Sequence, residues 1–443
     1  MKIQLSDHFT YKRLLRFVLP SIVMMIFTSI YSVVDGLFVS NFVGKTAFAA
    51  VNLVMPVMMG LSALGFMVGT GGSAIVARTL GEGNREKANE YFSLLVYVTA
   101  IGGALLSLLS VFLFPVFCRG MGAEGELLAN GVMYGRISAI SLTAFMLQNV
   151  FQSFFVAAEK PKLGLAVVVS AGVTNMVLDY LFIAVLGFGL KGAAMATVAG
   201  ELIGGLTPIL YFSRKNSSLL RLGRTKFDGR LLLNTCANGS SELMTNLSSS
   251  IVNTVFNLQL MKFSGENGVA AFGTIMYASF IFSAVFFGYS IGSAPVISYN
   301  LGAENYKELK NVYGKSMRFV GIWGVFLVFL THMIAEPLAR IFVGYDTELL
   351  TLTSHGFKMY ATAFLISGFN IFGSAFFTAL NNGVLSALIS FLRTLVFQLG
   401  SVLILPVLLG IDGIWYSVTL AEVLTLCVTL TFMIAQRKRY YYM

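Results

Sequence analysis

The chain has 443 residues, of which 56% are hydrophobic and only 11% charged, with a net charge of +10 and a mean hydropathy of +0.80. An ordinary soluble domain carries roughly 25% charged residues, so this composition excludes a soluble globule. The apolar runs recur along the whole chain, which excludes a soluble protein with a single anchor. The basic residues lie between those runs rather than in one patch, which argues against nucleic acid as a partner.

A helix needs about 20 apolar residues to cross the hydrocarbon of a bilayer. In chain order the sequence predicts twelve crossings, at about 14–39, 47–77, 91–114, 131–157, 163–186, 192–213, 231–260, 268–298, 317–335, 352–380, 384–409 and 412–435. The runs are too long, and lack the period-2 alternation, for a strand barrel. The apolar run after the basic segment Met1 to Arg16 is too long for a signal-peptide core and is read as an uncleaved first span. Pro20, Pro56, Pro208, Pro295 and Pro406 fall in or at the ends of spans, where each removes a backbone donor and can bend a helix. Cys118, Cys236 and Cys427 are far apart and form no CxxC, so neither a disulfide framework nor a zinc site is expected.

Lysine and arginine in short loops set orientation. With the N-terminus in the cytoplasm, 22 of the 30 basic residues fall inside: Lys2 to Arg16, Arg78 to Lys87, Lys160 and Lys162, Arg214 to Arg230, Lys307 to Arg318, and Arg437 to Arg439. Only Lys45, Arg119, Lys191, Lys262, Arg340 and Lys358 fall outside, while Arg136 and Arg393 lie within spans. Both termini are therefore expected in the cytoplasm, and the protein in the plasma membrane.

The chain also repeats itself at an offset of 221 residues. Ser29 and Ile30 land on Ser250 and Ile251, Leu80 and Gly81 on Leu301 and Gly302, and Asn84 on Asn305. Ser153 meets Ser374, Gly189 meets Gly410, Gly192 meets Gly413, and Glu201 meets Glu422. Six spans per repeat is an even number, so both halves share one orientation and are related by an axis along the membrane normal. The expected architecture is an all-α membrane protein of two six-helix lobes, 1–213 and 231–443, joined by a basic cytoplasmic linker at 214–230.

A charge inside the membrane costs at least ~2.5–3.5 kcal/mol and needs a reason. Asp35 lies in span 1 and Asp179 in span 5, with Asn175 one turn earlier on the same helical face. Thr197 in span 6 and Tyr134 in span 4 add hydroxyls. Together they form an oxygen-rich set suited to a hard cation such as sodium. Carboxylates in a partly dry cavity can instead carry protons. Interhelical hydrogen bonding without an ion is the plainer alternative. Asp35, Asp179 and Asn175 map onto Phe256, Gly400 and Val396, so this set breaks the repeat. Glu201 and Glu422 keep it and are read as structural. Glu242 in span 7 and Arg393 in span 11 are unmatched; they are expected to pair with each other or to face a substrate cavity. Met24, Met25, Met55, Met58, Met59 and Met67 crowd the first two spans, where polarizable side chains suit either varied apolar ligands or plain packing.

These features together resemble the multidrug and toxin extrusion (MATE) family over essentially the whole chain. The most specific element is the acid pattern: a span-1 Asp, an Asn-xxx-Asp pair in span 5, a span-4 Tyr and a span-6 Thr, here Asp35, Asn175, Asp179, Tyr134 and Thr197. Leu19-Pro20-Ser21 and the Leu80–Asn84 and Leu301–Asn305 segments are also similar to the family. Span 7 opens Gly239-Ser240-Ser241-Glu242 without the family's usual proline. The resemblance implies antiport of organic cations and lipophilic drugs against sodium or protons by alternating access, with no enzymatic activity and no cofactor beyond the coupling ion. The expected state is a monomer contacting membrane lipid.

Other readings are weaker. A lipid-linked oligosaccharide flippase of related fold would need arginines for phosphate, and Arg393 stands nearly alone. A major-facilitator carrier would carry an acidic-basic loop after span 2, where this chain has Arg78-Thr79-Leu80-Gly81-Glu82-Gly83-Asn84-Arg85. A membrane enzyme would need more than His8, His332 and His355, none of them mid-span.

Overall fold

In the computed structural model residues 3–443 are described, without the side chains of Leu37, Ser40, Asn41 and Lys45. Lys2 and the Lys45 side chain, counted in the charge bias, therefore lie outside the described residues. The helices are α1 (Tyr11–Phe38), α2 (Lys45–Gly81), α3 (Arg85–Gly120), α4 (Gly125–Ala157), α5 (Pro161–Asp179), α6 (Gly189–Ser213), α7 (Gly229–Gly302), α8 (Tyr306–Val343), α9 (Thr347–Ala361), α10 (Phe364–Ala379), α11 (Gly383–Phe391), α12 (Leu399–Leu409) and α13 (Ile411–Tyr440). Wider π-type turns at Val39–Val43, Tyr180–Val185 and Leu392–Gln398 extend α1 and α5 and join α11 to α12.

Among the described residues ten of these helices are long and apolar enough to cross a membrane. At about 1.5 Å per residue, the 74 residues of α7 far exceed one crossing. Its backbone breaks at Gly265 (φ 58°, ψ −146°) and doubles back, so that Phe256 and Phe272 stack with ring centroids 5.1 Å apart. The positive φ there is open to glycine at little steric cost. With α7 as two crossings and the α9–α10 pair, bent by 51°, as one, the bundle has the expected twelve.

The repeat is visible in side-chain roles. Asn84 caps α3 by accepting from Lys87 N at 3.0 Å, and its mate Asn305 caps α8 by accepting from Glu308 N at 3.2 Å. The exposed stripe Ile101, Leu108 and Phe112 on α3 recurs as Ile322, Phe329 and Met333 on α8. Both helices lie at the rim of their lobe with an apolar face turned to lipid. By contrast 83% of the α4 apolar window is buried against 22% for α3, so α4 is the axis of the first lobe and its side chains face the interior.

The lobes meet through α1, α2 and α7. At Gly81 and Gly302, repeat mates, the backbones of α2 and α7 touch: a Cβ on Gly81 would overlap Tyr299, and one on Gly302 would overlap Arg78. Gly71 and Gly239 make the same close approach with Thr235 and Met67, and Gly288 and Gly292 of α7 press on Ser21, Ile22 and Val18 of α1. All these contacts lie toward the end of the bundle that carries the termini. Further along, Gly60 meets only the side chain of Leu247 at 3.7 Å, and Ile30, Met59, Leu247 and Ile251 are exposed. The lobes are therefore closed at the terminal end and parted in the other half.

The terminal end is tied by loops. Residues 214–228 are non-helical and run over α3, where Arg85 donates to the carbonyls of Ser218 and Leu219 and Asn89 accepts from Arg221 N. The segment before α1 bridges the lobes: Leu5 N donates to Glu159 and Phe9 N to Glu308, each at 2.8 Å.

Candidate functional site

A cavity of about 100 Å³ lies inside the first lobe among α1, α2, α4, α5 and α6. Four of the five expected cation-site residues line it: Asp35, Tyr134, Asn175 and Thr197. Asp179 lies behind them, fully buried, with its carboxylate next to that of Asp35. The i,i+4 spacing of Asn175 and Asp179 places both toward Asp35, and α5 passes into its wider turn directly after Asp179. Such turns recur at functional sites in helical proteins.

Several polar atoms here lack protein partners. Asp35 Oδ1, Asn175 Oδ1 and both carboxylate oxygens of Asp179 are buried without a hydrogen-bond donor. Buried oxygens are normally satisfied, so four orphaned acceptors in one place fit a cation or protons. The Thr197 hydroxyl donates to Ala193 O at 3.1 Å and also meets the Tyr134 hydroxyl at the cavity wall. Among the described residues no Lys, Arg or His lines the cavity. Met55, Met58 and Met59 form its wall on α2, and exposed Ser32 and Met59 open it to the cleft between the lobes.

Glu201, structural by its place in the repeat, also lines this cavity, with Oε2 buried and unpartnered. It stands one turn beyond Thr197 on α6, beside Tyr31, Asp35 and Ser141.

In the second lobe Arg393 does not pair with Glu242. Its Nε and Nη2 both donate to Glu422 Oε1, at 2.9 and 2.6 Å, and Asn370 holds Glu422 Oε2 at 2.7 Å. Thr429 donates to Asn370 at 3.0 Å and closes the network. The reason is helical position: Arg393 lies in the wider turn facing α13, whereas Glu242 lies on α7 one turn past Gly239, at the lobe contact. Among the described residues Glu242 makes no side-chain hydrogen bond or ion pair, and nothing in the structure brings it to the first-lobe cavity.

Known proteins share this fold and its two halves. The MatE family model matches twice, over residues 20–181 and 243–402, once in each half. The multidrug export protein MepA of Staphylococcus haemolyticus is 24% identical over 97% of this chain and 94% of its own length. MepA of Staphylococcus saprophyticus is 22% identical over 94% and 91%. A crystal structure of MATE in complex with MaL6 superposes with a TM-score of 0.91 at 23% identity, covering 97% of both chains. A MOP superfamily transporter from Pyrococcus furiosus gives 0.90 at 22%, over 97% of this chain and 96% of its own. With two stretches of the family model covering most of its length, one in each lobe, the chain belongs to the MatE family.

Proposed function

We propose that this protein exports organic cations and lipophilic drugs by cation-coupled antiport. The observation that carries the reading is the Asp35–Asp179 pair: two adjacent buried carboxylates with orphaned oxygens and, among the described residues, no basic side chain along the cavity. A sodium ion would be held by Asp35, Asn175, Asp179 and Thr197, with Tyr134 closing the site; a proton would be shared by the two carboxylates. Either neutralises a charge that is costly at membrane depth. The relatives named for multidrug export support a drug-like substrate. The methionine wall, which adapts to varied apolar shapes, supports it too.

The lobes 1–213 and 231–443 act as the moving units, with 214–230 as the tether and both termini in the cytoplasm of a plasma-membrane monomer. The parted half of the cleft then faces outside. The coupling ion and the substrate must prefer opposite arrangements of the lobes, or compete for the same carboxylates, for one gradient to drive the other. The flippase alternative gains no support, since Arg393, the basic residue it would use for phosphate, is taken up by Glu422.

The test is transport in proteoliposomes with sodium and proton gradients imposed separately. Substrate export driven by one of them, and lost in Asp35→Asn and Asp179→Asn proteins that still insert and purify normally, is the expected result. Full export by both variants would sink the site assignment.

A further inference from the structure

We infer that Glu201 forms a second cation-accepting position in the first-lobe cavity, distinct from the Asp35–Asp179 pair, so that two positive charges are exchanged per transport cycle. This rests on the reading of the cavity as a coupling site. The two lobes supply the argument by comparison. Glu422 and Glu201 are repeat mates, and so are Asn370 and Asn149. In the second lobe Glu422 is neutralised by Arg393 and held by Asn370. The residue at the Arg393 position in the first lobe is Gly172. The rings of Phe27 and Tyr31 fill the space over Gly172, so that even a Cβ would collide with them. Asn149 points elsewhere, donating to Ser62 O at 3.3 Å. The same scaffold carboxylate is thus balanced in one lobe and left without its cation in the other.

The charge has to come from outside the protein. Among the described residues the ionisable groups that face Glu201 are Asp35 and Tyr31 on α1 and Tyr134 on α4, none of them basic, and its one hydrogen-bond partner is the neutral Ser141 hydroxyl. A carboxylate at membrane depth without a cation costs at least ~2.5–3.5 kcal/mol. Among the described residues no three His, Cys, Asp or Glu side chains converge on one point, so a single metal ion held by Asp35, Asp179 and Glu201 together does not account for all three. A separate acceptor marks the second position: Gln148, only 4% exposed, lines the cavity beside Tyr31 with Oε1 unpartnered. Glu201 stands on the wall of a cavity that opens to the cleft at Ser32 and Met59. Its cation therefore exchanges with solvent as the lobes move, instead of being locked in during folding.

The stoichiometry decides. Each ion moving down a tenfold gradient contributes about 1.4 kcal/mol, one factor of ten in the substrate ratio it can sustain. With the membrane potential clamped at zero, proteoliposomes are loaded with ethidium as an organic-cation probe. A tenfold sodium or proton gradient is imposed in separate arms, which identifies the ion. The wild-type protein is expected to sustain a ratio of about 100-fold, Glu201→Gln about tenfold, and Glu201→Asp, which keeps the charge, about 100-fold. A wild-type ratio of about tenfold overturns the inference even if no variant folds, and so does a Glu201→Gln ratio that stays near 100-fold. A wild-type protein that sustains no ratio under either gradient overturns the coupling reading itself.

Discussion

Arg136 on α4 donates its Nε to the carbonyl oxygen of Val111 on α3 at 3.1 Å. That carbonyl would ordinarily accept from the residue four positions on, which is Pro115 and has no N–H. An arginine inside a span is thus explained locally: it caps the carbonyl that a proline leaves open, on the lipid-facing side of the lobe. Hydrogen bonds to charged groups contribute about 1.5–3 kcal/mol, so Arg136→Ala should lower stability by that order. In a Pro115→Ala background, where the substituted alanine supplies its own N–H, the same change should cost less than about 0.5 kcal/mol, the scale of independent sites. Thermal unfolding of the four proteins in detergent measures the cycle. Equal losses in both backgrounds would show that Arg136 acts some other way.

The Arg393–Glu422 pair is held by two donors on one oxygen, with Arg393 only 20% and Glu422 only 6% exposed. Removing one member of a buried pair costs about 3–5 kcal/mol, whereas replacing both by neutral groups of similar volume is often close to neutral. Arg393→Met should therefore be much less stable than Arg393→Met with Glu422→Gln. The readout is the fraction of monodisperse protein surviving a heat step. A double variant no more stable than the single one would mean that Glu422 finds another partner.

Much of this was legible from the chain. The apolar runs gave twelve crossings, and the constant offset paired Asn84 with Asn305, which in the structure cap equivalent helices. Element ends were less legible. Span 9 reads as 317–335, yet α8 runs Tyr306–Val343, because hydropathy registers the membrane-embedded part while the helix continues through its polar turns. The bend between α9 and α10 falls at Thr362 and Ala363 with no proline to announce it. In the site, the spacing of Asn175 and Asp179 on α5 and the depth of Asp35 on α1 were enough to bring two helices together. Which base neutralises which acid depends on packing across α11, its wider turn and α13. For that reason Glu422, not Glu242, turned out to be the partner of Arg393.

The crossing of α2 and α7 at Gly81 and Gly302 brings backbone against backbone at the terminal end. Gly81→Ala inserts a methyl group where there is no room, at a cost of about 1–3 kcal/mol. That cost falls on the closed arrangement and is relieved when the lobes part there. The population of the opened state should rise by roughly one to two factors of ten. Cys236, half-buried on α7 next to Thr235, which lies against Gly71, is a native reporter. In a Cys427→Ser background, Gly81→Ala should increase its labelling by a membrane-impermeant maleimide about tenfold or more. Unchanged labelling would mean that the helices yield locally and the lobes stay closed.

The segment before α1 is held on the second lobe chiefly by Glu308. Its carboxylate, 6% exposed, accepts from Phe9 N at 2.8 Å and from Asn311 at 2.7 Å, and meets His8 Nδ1 at 2.6 Å. Lys315 and Asn311 both donate to Phe9 O, so the backbone of Phe9 is gripped on its donor and its acceptor. Leu5 and Phe9 are fully buried, and Leu5 N is held by Glu159 of the first lobe. The segment therefore spans both lobes at the end where they close. Glu308→Ala leaves the Phe9 N–H without an acceptor, a loss of about 1–3 kcal/mol. Because cleavage of a transiently opened segment tracks its opening free energy, trypsin should cut near Lys12 and Arg13 roughly 5–100-fold faster in the variant. The shift should be confined to the N-terminal fragment, since α1 stays anchored by Phe17, Val18 and Ile22 in the core it shares with the second lobe. Cleavage at the wild-type rate would show that Lys315 and Asn311 hold the segment without Glu308.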